Sequence, residues 1–292
     1  MKLKILIFCL VLVCNASQAF AKNVALLVWD KKADQKNELP YNFRDLSPLG
    51  INAIGSAQFS ETQLKEVRKK YPNEKIVIVD LRRESHGFIN GSAVSWRSPF
   101  DRSNINKNSS EILRDEKIRL NSVKKDREII VNKILEKDKK NGWYEEVEPE
   151  IIAVEKISTE ENLAKENGFE YKRFFVRDHG NPDAKQLLEI VNFIKNFPQD
   201  KKIYVHCAAG RGRTTTFLTI YDIIKNGSEL SLKEILKRQE KIGGIRLDDV
   251  DADAEWRKKL AEERLKMVRE FYAVEADARA GLRADTRVRH YN

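Results

Sequence analysis

The sequence predicts an α/β fold, a mainly parallel β-sheet flanked by helices. Three observations carry that expectation. Residues 171–226 read strand, helix, strand, loop, helix, the order that builds parallel strands joined by crossovers. Residues 76–79 form a continuous apolar run, as in a strand buried on both faces. The 292 residues are 41% apolar and 34% charged, too apolar for a disordered chain and too charged for a polytopic membrane protein. That length suits one large domain or two small ones with a sizeable core. No internal period recurs, so a repeat architecture is unsupported.

In chain order, the first 21 residues stand apart from the fold. Lys2 and Lys4 open a charged start, and residues 5–13 form an apolar run. That run is far shorter than the roughly 20 residues a membrane span needs. Ala19-Phe20-Ala21 puts small residues where a signal peptidase reads them. We therefore expect a signal peptide over 1–21, a domain over 22–292, and a periplasmic or secreted protein with no stable membrane anchor. Cleavage would remove Cys9 and Cys14 and leave Cys207 alone. A lone thiol in an oxidising space is either inert and buried or functional.

Residues 24–29 are a short strand candidate, and 40–55 a turn-rich connection containing Phe43-Arg44. Ser60 and Gln63 make a capping box for a helix running from Glu61 until Pro72 nears. The strand at 76–79 is followed by Asp80, Arg82, Arg83, Glu84 and His86, with Gly87 and Gly91 in a loop. Residues 103–143 are highly charged, with Leu113, Leu120 and Ile130 at roughly helical spacing, so a long surface helix, whole or broken, is expected. A short β segment is expected near 151–157. Residues 171–176 form a strand. Leu187, Ile190, Val191 and Ile194 give an amphipathic helix over 183–197, stopped by Pro198. A buried strand at 203–205 precedes a helix over 214–226 that Gly227 ends. Ser231 and Glu234 cap another helix, and a last one covers about 254–272. The tail, 274–292, is expected to lack structure from Arg279 onward.

Lys and Arg number 54 against 45 Asp and Glu, a net charge of +9. Such a surface suits anionic partners. The basic residues are scattered among acids with no basic-aromatic stripe, so nucleic acid is not an expected partner. Four histidines without ligand spacing indicate no metal, and no other cofactor is implied.

The chemistry concentrates in His206-Cys207-Ala208-Ala209-Gly210-Arg211-Gly212-Arg213-Thr214, between a predicted strand and a predicted helix. A loop there aims backbone N–H groups at one spot with the helix N-terminus behind it, which makes an anion cradle. Gly210 and Gly212 permit backbone angles that a side chain disfavours. Arg213, six residues after Cys207, returns to the mouth of the loop with a fork suited to two phosphate oxygens. The same field favours thiolate over thiol at Cys207, and the Thr214 hydroxyl can donate to the sulfur. A thiolate in a phosphate cradle implies attack on phosphorus and a cysteinyl-phosphate intermediate. His206 is read as orienting the loop. The plain alternative is a glycine-rich turn with a buried cysteine.

This run resembles the C-x5-R loop of the protein tyrosine phosphatase superfamily. It is most similar to the bacterial tyrosine-phosphatase-like inositol polyphosphatases, or cysteine phytases. Asn42-Phe43-Arg44, Gly55-Ser56-Ala57-Gln58, Asp80-Leu81-Arg82, Glu84-Ser85-His86-Gly87, Val94-Ser95-Trp96, Asp178-His179, Arg238-Gln239 and Ile242-Gly243-Gly244 extend the resemblance over about residues 40–273.

The resemblance implies a tyrosine-phosphatase-like fold with a small partial β-barrel, drawn here from parts of 76–101 and 144–160. It implies Asp178 as the acid that protonates the leaving oxygen, on a loop where this chain has Gly180-Asn181-Pro182. It gives substrate contacts to Arg44, Asp101, His179, Arg257 and Arg264, and Arg211 adds a cation within the loop. A helix cap for Asp178, surface salt bridges for the arginines and a turn for Asp101 remain alternatives. The implied activity is stepwise dephosphorylation of inositol polyphosphates, phytate above all, a small polyanionic substrate. Alternatives are a protein tyrosine or phosphoinositide phosphatase and, more remotely, a phosphate-binding pseudoenzyme.

Overall fold

A computed structural model describes residues 25–30 and 36–289. The expected signal peptide, residues 1–21, lies outside them. In chain order the elements are β1 (Leu26–Trp29), β2 (Arg44–Asp45), β3 (Ala53–Ser56), α1 (Glu61–Lys70), β4 (Lys75–Arg82), β5 (His86–Ile89), β6 (Ser92–Arg97), α2 (Ser109–Ser122), β7 (Glu128–Asp138) and β8 (Trp143–Ala153). They continue as β9 (Ile157–Ser158), α3 (Glu160–Glu166), β10 (Glu170–Val176), α4 (Ala184–Lys195), β11 (Lys201–His206), α5 (Gly212–Asn226), α6 (Leu232–Lys241) and α7 (Glu255–Arg289).

The central sheet has the order β10-β4-β11-β3-β2. Its first four strands are parallel, and β2 runs antiparallel to β3. The continuous apolar run of β4 follows from cover on both faces. Val77, Val79 and Leu81 pack with Ile190 and Ile194 of α4 and with Phe217 and Ile220 of α5. Ile76 and Ile78 point the other way, to Leu64 and Val67 of α1 and Leu163 of α3. β11 alternates likewise, Val205 to one core and Tyr204 to the other. The capping boxes at Ser60/Gln63 and Ser231/Glu234 form as read, and Asp183 caps α4 with Gln186.

A second sheet, β8-β7-β1-β6-β5-β9, is antiparallel except where Val28 of β1 meets Asn132 of β7. It takes more of the chain than 76–101 and 144–160. Residues 103–143 are not one long helix. α2 covers Ser109–Ser122, and β7 follows. Leu113 of the supposed apolar stripe is 51% exposed. Ile129, Ile130, Val131 and Ile134 are β-branched and alternate in burial instead, with Val131 buried and Ile130 outward. α7 also continues past residue 272 to Arg289, where the tail was expected to lack structure.

The two sheets are joined through buried charge. His86 Nε2 lies 3.3 Å from Asp80 Oδ2 and 3.2 Å from Glu160 Oε2. Its Nδ1 lies 2.8 Å from Glu84 O and 3.5 Å from Glu116 Oε2. Arg173 donates to both oxygens of Glu116 and lies 3.0 Å from Asp80 Oδ2. Burial and the nearby Arg82 disfavour a charged His86, with Arg173 adding to them. The carboxylates of Asp80 and Glu116 outweigh these and push it up to about 9.

A pKa raised on folding gives stability that is complete below the unfolded value, about 6.5, and is lost as pH rises through the folded one. The urea unfolding midpoint should therefore fall between about pH 6.5 and pH 9, and His86→Gln should flatten that fall. Parallel wild-type and variant curves would contradict the assignment.

Candidate active site

β11 ends at His206, and α5 begins at Gly212, so residues 207–211 make the turn between sheet and helix. Gly210 has φ +67, and a Cβ there would lie 2.3 Å from Ala57 N. Only glycine lets the loop sit this close to the end of β3. Among the described residues, the backbone N–H groups of residues 208–211 find no acceptor. They and the first turn of α5 are free to meet an anion.

Cys207 is 3% exposed, yet it lines the floor of a cavity of about 1290 Å³. Thr214 Oγ1 donates to its sulfur at 3.2 Å. Arg213 is buried beside it. Its Nη1 and Nη2 donate to Glu84 Oε2 and Oε1 at 2.8 and 3.0 Å, and Nη1 also donates to Val176 O at 3.2 Å. Burial raises the Glu84 carboxyl, but the Arg213 and Arg82 guanidiniums hold it well below the usual range. Burial likewise works against a charged Arg213, and Asp178, Glu84 and Cys207 more than offset it.

Asp178 follows β10. Its Oδ1 lies 3.0 Å from Arg213 Nη2, and Oδ2 accepts from Arg97 Nη1 at 3.3 Å. His179, at φ +60, turns the chain so that its Nε2 lies 3.2 Å from Asp101 Oδ2. Phe100 and Asp101 also have positive φ, 56° and 51°. Two of these three non-glycine residues in a costly region, Asp101 and His179, line one cavity, where surrounding contacts must hold them. Lys137 of β7 closes the group at 2.6 Å from Asp101 Oδ2. Burial opposes the Asp101 charge, and His179, Lys137 and Arg97 overcome it to lower its pKa.

The cavity brings together Cys207, Ala208, Ala209, Arg211, Gly212, Arg213, Asp178, His179, Asp101, Arg257 and Arg264. Arg264 Nη1 donates to His179 O at 3.2 Å, and Arg257 pairs with Asp253 at 3.1 Å. Thr214 reaches the sulfur from behind, and His206 Nε2 lies 2.6 Å from Glu160 Oε1. Gly210 does not face the cavity, because its α-carbon is pressed against residues 56 and 57. Arg44 does not reach it either. It is 4% exposed behind the loop and donates to Gly210 O at 2.9 Å, so it touches backbone where the resemblance gave it a phosphate.

Sequence reasoning missed Glu84, Arg97, Asp30 and Lys137 as parts of this site. Glu84 lies in a segment already marked by the resemblance, and Arg97 directly follows another. Nothing local told that one would hold Arg213 and the other Asp178. Lys137 was hidden by the helical reading of its segment.

Two clusters place carboxylate and imidazole groups within reach of one another: Asp80, Glu160 and His206, and Asp101, Asp178 and His179. Both already engage protein cations, Arg173 in the first and Lys137, Arg97 and Arg213 in the second.

A family model described as PTP-like phytase, inositol hexakisphosphate, matches residues 79–225. The chain belongs to the PTP-like phytase family. Within it, a PTP-like phytase from Bdellovibrio bacteriovorus is 30% identical, with a TM-score of 0.73 over 88% of this chain and 91% of that one. A PTP-like myo-inositol phosphatase from Mitsuokella multacida, solved with myo-inositol-(1,3,4,5)-tetrakisphosphate, is 30% identical, with a TM-score of 0.78 over 88% of this chain and 47% of its own. Effector protein hopD2 of Pseudomonas syringae pv. tomato is 26% identical over 243 residues, 82% of this chain and 50% of that protein. The chain thus spans about half the length of hopD2 and of the Mitsuokella phosphatase.

The Arg213–Glu84 pair sets the floor of the site, and its loss should show in stability. Glu84→Gln leaves the buried guanidiniums of Arg82 and Arg213 short of a counter-charge. Equilibrium urea unfolding should find the variant less stable by about 3 kcal/mol. A change below about 0.5 kcal/mol would mean that the pair is dispensable to the fold.

Proposed function

We propose that this chain is a cysteine-dependent phosphatase that removes phosphate from inositol polyphosphates. The observation that carries the reading is the floor of the cavity, where the Cys207 sulfur, unpaired loop N–H groups and a fixed Arg213 meet beneath the Asp178 carboxyl. A substrate phosphate on the cradle places its phosphorus before the sulfur. The sulfur attacks, the P–O bond to the ring breaks, and the leaving oxygen takes a proton from Asp178. Water then attacks the cysteinyl phosphate, gives its proton to Asp178, and releases inorganic phosphate and free thiolate. Arg213 and the loop N–H groups carry the charge that builds on the equatorial oxygens.

The resting geometry adds a condition. Asp178 occupies Arg213 and Arg97, so an arriving phosphate competes with it for Arg213. A dianion on that guanidinium frees Asp178 to hold the proton that the leaving group needs. Thiolate and protonated Asp178 must coexist, so turnover rises and falls with pH in a bell.

Ring over peptide is favoured by the walls. Arg211, Arg246, Arg257, Arg264, Lys137 and Lys139 line a wide opening, where a phosphotyrosyl side chain would call for a narrow apolar slot. Asp253 pairs with Lys139 and Arg257, at 3.0 and 3.1 Å, and keeps those two side chains at the rim. The names of the relatives, phytase and myo-inositol phosphatase, support the same substrate class. Export to the periplasm or beyond rests on the leader composition. Among the described residues no helix is long and apolar enough to cross a membrane.

Phosphate release from inositol hexakisphosphate tests the reading. Cys207→Ser should abolish turnover while binding, read by titration calorimetry, persists. Asp178→Asn should lower kcat about a hundredfold and remove the basic limb of the pH profile. Faster release from a phosphotyrosyl peptide than from the inositol substrate would overturn the substrate assignment, and an active Cys207→Ser the mechanism.

A further inference from the structure

Arg44 and Asn42 stand behind the phosphate loop. Arg44 Nη1 donates to Gly210 O at 2.9 Å and to Asn42 O at 3.1 Å, and Nη2 donates to Thr215 Oγ1 at 3.4 Å. Asn42 Nδ2 donates to the same Gly210 carbonyl at 2.8 Å. One carbonyl therefore holds two side-chain donors from one short segment. Two residues earlier, Ala208 O accepts from Gln58 N at 3.3 Å, also outside the cradle.

A trans peptide points its C=O and its N–H in opposite directions. A Gly210 carbonyl drawn back toward β2 turns the N–H of Arg211 forward. An Ala208 carbonyl drawn toward Gln58 does the same for the N–H of Ala209. Both Ala209 and Arg211 line the cavity. The inward N–H groups that make the cradle are thus set by what grips the carbonyls outside it.

The bracket itself is braced. Asn42 has φ +56, a strained conformation that asparagine tolerates better than most residues and that aims its amide at the loop. A Cβ at Gly243 would sit 3.4 Å from Asn42 Oδ1 and 3.6 Å from Arg44 Cδ, so the connection after α6 closes over the pair. Ile245 N, on that connection, donates at 3.3 Å to the Thr215 hydroxyl that Arg44 also holds.

We propose that Asn42 and Arg44 are positioning residues. They grip the Gly210 carbonyl from behind and so keep the Arg211 N–H in the anion cradle, without touching substrate. The activity arm of the test rests on the phosphatase reading above, and the alkylation arm does not.

The variants are Arg44→Met, Arg44→Lys and Asn42→Gly. Glycine at position 42 removes the amide while accepting φ +56, which keeps one variant folded if Arg44→Met is not. Thermal midpoints report folding. Turnover is measured on p-nitrophenyl phosphate, which offers one phosphate, and on inositol hexakisphosphate. Arg44→Met and Asn42→Gly should lower kcat by a similar factor on both, about tenfold to a hundredfold, with KM little changed. Arg44→Lys, which keeps a donor, should recover part of it. Iodoacetamide should alkylate Cys207 at least about fivefold more slowly near pH 6 in the impaired variants, because the cradle that stabilises the sulfur's charge is loosened. Wild-type alkylation and wild-type p-nitrophenyl phosphate turnover, with only KM for inositol hexakisphosphate raised, would make Arg44 a substrate contact and overturn the proposal. A wild-type protein inactive on both substrates would sink the phosphatase reading alone, and the alkylation rates would still decide the positioning role.

Discussion

Both terminal nitrogens of Arg213 lie on both oxygens of Glu84, inside the protein, with Arg82 on the same carboxylate. Taking such ions out of water is costly unless they are paired, and here the two-pronged contact pairs them, although Arg213 Nε and Arg82 Nη2 find no partner among the described residues. The pair links the β4–β5 connection, which carries Glu84, to the first turn of α5, which carries Arg213. It also fixes the plane of the guanidinium, so a ligand meets a fork already in place. Asp178, on the loop after β10, rests on that same guanidinium. The relative placement of Cys207, the loop N–H groups and Asp178 follows from one buried salt bridge.

Around that pair, each part of the loop is held from outside. Thr214 reaches the sulfur, Glu160 holds His206, and Gln58 takes the Ala208 carbonyl. Asn42 and Arg44 take the Gly210 carbonyl. Gly210 allows contact with β3 that no larger residue permits. A parallel sheet buried on both faces makes this possible, because strand ends converge on the loop that leaves β11. The second sheet brings Arg97 and Lys137 from another direction and sets two cations against Asp178 and Asp101.

The loop was legible because its parts are contiguous. Residues 206–214 carry thiol, glycines, arginine and threonine at spacings that mean something without the rest of the chain. The central strands and α1, α4, α5 and α6 were legible from periodicity and caps. What needs contact between distant segments was not. Glu84 lies 129 positions from Arg213, and neither residue type announces the other. Arg44 was matched by type to a phosphate contact, but sequence does not say on which side of a loop a guanidinium lies. β7 was lost because Leu113, Leu120 and Ile130 fit a helical spacing amid abundant charge, and that reading concealed Lys137.

Catalysis at Cys207 requires phosphorus to pass through sulfur. Rapid mixing with inositol hexakisphosphate, an acid quench, and mass spectrometry of the digested chain would look for that species directly. One phosphoryl group is expected on the peptide that contains Cys207, formed before inorganic phosphate reaches its steady rate. Steady turnover with no phosphorylated peptide, or a phosphoryl group on any other residue, would contradict it.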